Sequence, residues 1–354
     1  MVVDLNFFKG KKVFITGHTG FKGSWLARIL INANADVTGY SLVPKSEVNL
    51  FAIAGIERDI NSVVGDVRNL EYLQRIIKEA KPEFVFHLAA QPIVKASYEE
   101  PVYTYETNVM GTVNILETVR HCESVRSFLN VTTDKVYENK EWYWGYRENE
   151  SLNGFDPYSN SKSCSELVTQ SYKKSFFADD RVAISTARAG NVIGGGDFAD
   201  DRIIPDCIRA MINNQDIIVR NPNSIRPYQH VIEALFAYLL IAKKQRENTF
   251  YADSYNVGPD ESDCITTGKL VSLFCESWGS KAVVWKMQKD IGPHEAGFLK
   301  LDCSKIKTSL NWRPYWHVND AVKKTVEWTQ CFLEKRDVVA CMNEQIADYY
   351  ENNH

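Results

Sequence analysis

The sequence predicts an α/β fold: a doubly wound parallel sheet followed by a smaller C-terminal lobe. Three observations carry this. Short apolar runs rich in β-branched and aromatic residues recur at 13–15, 36–40, 60–64, 83–88, 127–132 and 182–187, as strands buried on both faces require. Stretches with helical apolar spacing separate several of them, at 24–31, 70–80 and 107–120. The first run leads into Gly17, Gly20 and Gly23, spaced G-x-x-G-x-x-G, and then into a helix. Strand, glycine turn and helix open a nucleotide-binding βαβ unit.

Composition sets the frame. The 354 residues are 44% hydrophobic and 24% charged, ample for the core of one large domain or two intimate ones. A net charge of -4 without a long basic run disfavours a nucleic-acid partner. The N-terminus has no apolar leader and no stretch reaches membrane-spanning length, so no membrane partner is expected and the cytoplasm is the expected location. The eight cysteines are scattered without a C-x-x-C pair, which reads as reduced packing thiols and no metal site.

In chain order, the glycines let the backbone turn sharply and approach a diphosphate, and the following helix offers free N–H groups and a partial positive charge. Where the second strand ends, an NAD site often places an acid. Here Tyr40 and Ser41 stand there with Lys45 behind, while Asp36 is at the wrong end, so NAD and NADP both remain open. After the third strand, Asp66 could meet an adenine amino group or equally cap the helix over 70–80. The fourth strand runs into Ala89, Ala90 and Gln91, small enough at first for backbone to approach a ligand; His87 within it reads as a core histidine. Asn108 lies near the start of the next helix.

The fifth strand ends in Thr132, Thr133, Asp134 and Lys135, just where open α/β sheets bind ligands. Pro157 then precedes Tyr158 and Lys162, four apart on one helix face. An ammonium beside a phenol can lower its pKa and make it a base for a sugar hydroxyl; alone, such a pair is usually a solvated face. A glycine cluster at 194–196 marks where the chain leaves the sheet for a second lobe. Arg202, Ile203, Arg220, Arg226 and Tyr228 follow, and two of these arginines near a crevice suit a diphosphate, though arginines are also common surface residues. An apolar helix over 231–243 and a short strand over 254–258 follow, then a helix over 321–333 and a peripheral helix and tail. The expected division is 1–190 with roughly 231–257 as the dinucleotide-binding domain, and 191–230 with 258–354 as the substrate lobe.

Together TGHTGFKG, HLAAQP, TTDKVY, YSNSK and RAGNVIGGGD resemble the extended short-chain dehydrogenase/reductase superfamily. GHTGFKGSWL, TTDKVYEN and RAGNVIGGGDFADDRIIPD narrow the resemblance to the nucleotide-sugar 4,6-dehydratases, most nearly those acting on CDP-glucose. It spans about residues 11–328, and the order and spacing of the motifs make it specific. The resemblance implies a Rossmann-like sheet holding NAD, a smaller lobe holding CDP-glucose, and a homodimer paired through two long helices of each subunit. It implies conversion of CDP-glucose to CDP-4-keto-6-deoxyglucose and water, a step toward dideoxysugars of bacterial surface polysaccharides.

Carried onto this sequence, it implies a cofactor cradle of Gly17, Thr19, Gly20, Phe21, Lys22, Gly23, Ser41, Asp66, Val67, Leu88, Ala89, Ala90, Gln91, Asn108, Thr132, Tyr158 and Lys162. It implies substrate contacts from Gln91, Thr133, Asn191, Arg202, Ile203, Arg220, Arg226 and Tyr228. Tyr158, held by Lys162, takes the O4 proton; Thr133 binds O4; Asp134 protonates the departing C6 hydroxyl. The dTDP-glucose relatives carry Thr-Asp-Glu, with Glu as the C5 base. Lys135 stands there instead and acts at C5, as a neutral base or as an electrostatic stabiliser. The rival readings are another nucleotide-sugar dehydratase, a 4-epimerase, or a non-catalytic dinucleotide-binding protein.

Overall fold

The computed structural model describes residues 3–279, 283–287 and 296–353. Seven strands form one sheet: β1 (Lys12–Thr16), β2 (Asp36–Ser41), β3 (Asn61–Val64), β4 (Phe84–His87), β5 (Ser127–Thr133), β6 (Ala183–Ala189) and β7 (Ser254–Val257). They are all parallel, in the order β7-β6-β5-β4-β1-β2-β3. The order reverses between β1 and β4, so the chain diverges there and leaves a crevice at the carboxyl ends of the strands.

The inner strands β1, β4, β5 and β6 are buried without alternation because both faces are covered, whereas the edge strand β3 is partly exposed. Val13, Ile15, Phe84, Phe86, Leu129 and Val131 point into one core, with α1 (Phe21–Asn32) and the later helix Val231–Glu247. Phe14, Val85 and Phe128 point into the other, with α2 (Leu70–Ala80) and α3 (Gly111–Arg120), flanked by α4 (Pro157–Phe176). A third core belongs to the smaller lobe: Ile204, Cys207, Ile208 and Met211 of α5 (Ile203–Ile212) meet Leu270, Val271 and Phe274 of a helix that follows α6 (Val231–Glu247), namely α7 (Thr267–Trp278). Val318, Ala321 and Val322 of α8 (Val318–Leu333) close it.

The structure corrects the sequence in three places. The expected helix over 107–120 opens with a π turn over Glu106–Met110 before α3. The span 191–230 holds short strands: Val192–Ile193 pairs with Gln229–His230, Ile217–Val219 with Trp285–Met287, and Ile225–Pro227 with Cys264–Thr266. The last helix, α9 (Val338–Asn352), is not peripheral: Met342 and Tyr349 are fully buried in the main core, and Tyr349 packs on Phe236 of α6. Among the described residues, no helix is long and apolar enough to cross a membrane.

Candidate active site

The glycine turn is tight because backbones meet there. Gly17 sits at φ +77°, and a Cβ on it would lie 2.8 Å from the Ala89 nitrogen. A Cβ on Gly23 would lie 2.1 Å from the Gly17 carbonyl oxygen. Gly20, by contrast, meets only that oxygen at 3.4 Å, and α1 begins after it with no side chain capping its first turn. Phe21, Lys22 and Gly23 therefore sit where a diphosphate would find N–H donors. Thr16 Oγ1 accepts from the N–H groups of Leu88 and Ala89, each at 3.2 Å, binding the ends of β1 and β4 together below Ala90. Its other contact, at 2.7 Å, is His87 Nδ1; burial lowers this core histidine to about 3.

Beyond β2, Thr19 and Ser41 share a hydrogen bond of 2.8 Å. Lys45 lies over the Tyr103 ring at 5.7 Å. Asp66 is clasped by Arg68 at 2.7 Å; burial raises its pKa, but the Arg68 bonds outweigh that and hold it below its ordinary value. Asp66 does not cap α2: Asn69 does, its Oδ1 accepting from the Tyr72 N–H at 3.1 Å. Val67 is buried beside Gly111.

The chemical residues converge at the ends of β5 and α4. One cavity of about 430 Å³ is lined by Lys22, Thr132, Thr133, Lys135, Tyr158, Asn191, Asp197, Arg202, Ile203, Arg220, Arg226 and Tyr228, among others. Asp134 is buried next to that lining without being part of it: Thr133 Oγ1 donates to its Oδ1 at 2.9 Å, while its Oδ2 has no hydrogen-bond partner among the described residues. Burial raises the Asp134 pKa, against the pull of Lys135, Thr133, Arg226 and Lys22. Asp156 caps α4 through the Ser159 N–H at 2.9 Å, and Pro157 takes the first turn, which orients Tyr158.

Burial raises Tyr158 to about 12; its hydrogen bond with Thr133 and the charge of Arg202 oppose that. Lys162 stands one turn further along α4. Its ammonium donates to the Val131 carbonyl at 3.0 Å, and burial lowers it to about 8. Two further candidates are committed elsewhere. Gln91 accepts from the Ile93 N–H at 2.6 Å and donates to Thr104 at 2.9 Å, so its amide faces the short helices after β4 and does not line the cavity. Asn108 accepts from the Gln91 N–H at 2.8 Å and donates to Ser161 at 2.9 Å, tying the π turn to α4.

Sequence reasoning missed what lies beneath. Glu166, one turn beyond Lys162, is fully buried in an ion pair with Arg188 at 2.9 Å. It also accepts from Thr132 at 2.5 Å and Thr186 at 2.8 Å. Arg188 donates to the Tyr137 hydroxyl and the Glu148 carbonyl, each at 2.9 Å, and Tyr137 donates to Asn256 at 2.6 Å. The spacing Tyr158, Lys162, Glu166 along one helix face was the available signal. In the smaller lobe, Arg202 pairs with Asp197 at 2.9 Å and Arg220 with Asp201 at 3.4 Å. Arg226 is buried and donates to the Ala296 carbonyl; Tyr228 shares a 3.0 Å bond with Thr267.

Comparison with known proteins agrees with this geometry. Residues 14–325 match the family model described as GDP-mannose 4,6 dehydratase. The chain is 46% identical to a CDP-glucose 4,6-dehydratase of Salmonella typhimurium, covering 98% of each, and 27% identical to a CDP-paratose 2-epimerase of Salmonella typhi, covering 90% of this chain and 99% of that one. Its fold matches a dTDP-glucose 4,6-dehydratase from Bacillus anthracis in complex with NAD (TM-score 0.77, 20% identity, 93% of this chain and 99% of that chain). It matches equally a UDP-glucose 4-epimerase from Stenotrophomonas with bound NAD (TM-score 0.80, 18% identity, 92% and 99%). A match that runs from β1 into α8, together with a relative so alike from end to end, leaves one conclusion: the chain belongs to the nucleotide-sugar 4,6-dehydratase family of the extended short-chain dehydrogenases/reductases.

Proposed function

We propose that this chain dehydrates CDP-glucose to CDP-4-keto-6-deoxyglucose with NAD as an internal cofactor. The observation that carries the reading is Asp134: a buried carboxyl, its pKa raised, with one oxygen held by Thr133 and the other without a partner among the described residues. A 4-epimerase needs no acid at that place, whereas expelling a hydroxyl does. The 46% identity to a CDP-glucose 4,6-dehydratase supports the same substrate.

The residues fit the cofactor, since the uncapped first turn of α1 and the open side of Gly20 leave room and donors for a diphosphate. When bound, NAD supplies a two-electron acceptor that takes hydride from C4 and returns it to C6. Tyr158 accepts the O4 proton as the phenolate, the form that Thr133 and Arg202 favour against burial, and Thr133 holds O4. Once C4 is a ketone, the C5 proton becomes acidic, and Lys135 acts there at the rim of the cavity. Asp134 gives its proton to the C6 hydroxyl, which leaves as water. Lys162, anchored on the Val131 carbonyl, would hold the ribose of the cofactor when it is bound. Arg202, Arg220 and Arg226 receive the diphosphate of the sugar nucleotide, with Asn191, Ile203 and Tyr228 around it.

Residues 1–190 with roughly 231–257 serve as the cofactor domain, and 191–230 with 258–354 as the substrate lobe. Two copies pair through α4 and the segment before α3, where Val102, Met110 and Leu167 are exposed. The test is incubation with NAD and CDP-glucose deuterated at C4. The expected product is a 4-keto sugar, absorbing in the ultraviolet after alkali, with the deuterium at C6. Deuterium kept at C4 of a product epimerised there would establish the epimerase reading instead. Turnover of dTDP- or GDP-glucose in preference to CDP-glucose would overturn the assignment of the base.

A further inference from the structure

Glu166 takes no part in the steps above, yet the elements that build the site meet on its carboxylate. It stands on α4 one turn beyond Lys162 and two beyond Tyr158. One oxygen accepts from the Thr132 hydroxyl at 2.5 Å, and Thr132 follows Val131, whose carbonyl takes the Lys162 ammonium at 3.0 Å. α4 therefore grips two successive residues at the end of β5, directly before Thr133 and Asp134. The other oxygen accepts from Thr186 at 2.8 Å and from Arg188 at 2.9 Å, both on β6. Glu166, Lys162 and Arg188 are all buried.

We propose that Glu166 is a positioning residue for the oxidation at C4: its charge keeps Lys162 an ammonium, one turn from Tyr158, so that the phenol can give up its proton and serve as the base. The inference rests on the NAD-dependent reading above. In that step the O4 proton passes to the phenolate, the hydride at C4 passes to NAD, and C4 becomes a carbonyl. Glu166 gains and loses nothing in it; it acts only on the charge of its neighbour.

The balance of charge gives the reason. Lys162 and Arg188 are buried cations from α4 and β6, and the Glu166 carboxylate pairs directly with Arg188. Lys22, from α1, is a further cation that feels Lys162. His87, from β4, also feels it and is neutral, since burial lowers it to about 3. On the side of Glu166, the Tyr137 phenol is neutral because burial raises its pKa. Burial lowers Lys162 to about 8, and Glu166 is the charge that opposes this. Without that charge the buried cations would face one another uncompensated. A guanidinium does not deprotonate, so Lys162 is the group that yields its proton. A neutral amine does not favour a phenolate. A carboxylate that served only to tie β5 to β6 would leave the titration of Lys162 untouched when replaced by an amide, which separates the two roles.

The experiment titrates Lys162 by carbon nuclear magnetic resonance in the full chain, isotopically labelled at its lysine Cε carbons, with the resonance assigned by its loss in Lys162→Met. The wild-type midpoint is expected at about 8. Glu166→Gln should lower it by about one pH unit, a tenfold change in proton affinity, as expected for one buried charge a helical turn away. Glu166→Asp should restore it. The oxidation step is read alone in the Asp134→Asn chain, where reduced nicotinamide accumulates on mixing with NAD and CDP-glucose. At about pH 8 that step should slow about fivefold when Glu166→Gln is added, and recover with Glu166→Asp. Should Glu166→Gln fold poorly, Arg188→Gln reads the same charge from the other side: it leaves Glu166 to act on Lys162 alone, and the midpoint should rise. A Lys162 midpoint that stays put in these variants, whether or not the step slows, overturns the proposal, while reduction of NAD by the Asp134→Asn chain leaves the NAD reading intact. A chain that never reduced NAD would sink both.

Discussion

Asp134 shows how much one residue can decide. Its carboxyl sits at the turn after β5, where Thr133 fixes one oxygen and burial favours the protonated form. Asp134→Asn keeps the shape and the bond from Thr133 but has no proton to give. Turnover should fall by about 10²–10⁴-fold, the usual contribution of a positioned acid. Oxidation at C4 does not need that proton, so a single turnover should still show the near-ultraviolet absorbance of reduced nicotinamide, now accumulating. The wild type should lose activity as pH rises through the raised Asp134 value, because only the protonated carboxyl can act. That dependence should be absent from the residual activity of the variant. Tyr158→Phe is the complementary case: it should remove the first step, with a loss of similar size and no accumulation.

Elements carry the next level of the argument, and the C-terminal helix is the clearest. Glu233, at the start of α6, is fully buried. It accepts from the N–H groups of Tyr315 and Trp316 at 2.9 and 2.6 Å and from the Tyr349 hydroxyl at 2.7 Å, so α9 is latched onto α6 through one carboxyl. Burial raises Glu233 from 4.5 to about 7, against the pull of those three donors. The folded state therefore holds this proton more tightly than the unfolded chain does. Its stabilising effect is complete below the unfolded value and is lost as pH rises to about 7, at most about 3 kcal/mol. Glu233→Gln mimics the protonated form, its oxygen facing the two N–H groups and its amide facing Tyr349. Urea midpoints should match the wild type near about pH 5 and exceed it near about pH 8. Equal slopes with pH would show that Glu233 does not titrate in this window.

That helix also marks where sequence reading stops. The inner strands and α1 to α3 were legible because two-sided burial writes itself into short apolar runs, and an apolar helix stripe writes itself into 3.6-residue spacing. The glycine turn, the Thr-Asp-Lys strand end and the Tyr-Lys pair were legible because their chemistry is local. What escaped was non-local. Tyr349 bonds to Glu233 more than a hundred residues away, the two- and three-residue strands of the smaller lobe pair across long loops, and Asn108 of the π turn is stitched to Gln91 and Ser161. Glu166 has its ion-pair partner Arg188 on β6, a pairing that no local spacing records.

At the scale of the whole molecule, the proposed pairing of two copies ties assembly to chemistry. Val102 is 70% exposed, Leu167 52% and Met110 49%, on segments packed side by side, with Tyr105 donating to Asn160 of α4 at 2.9 Å. A stable interface of ordinary size would bury about 1,600 Å² in total, and an apolar patch of this kind is a fitting centre for it. α4 carries Tyr158 and Lys162 near its start and Leu167 midway, so the helix that positions the base would be braced by its partner copy. Val102→Glu with Leu167→Glu would set four carboxylates against one another across a two-fold axis. Sedimentation should show the wild type as a dimer and the double variant at half the mass. Far-ultraviolet circular dichroism should stay unchanged, because both positions are solvent-facing within one chain. The monomeric variant should also melt earlier and turn over more slowly, since α4 loses its brace. A wild-type chain that sedimented as a monomer, or a double variant that remained dimeric, would place the contact between copies on another face.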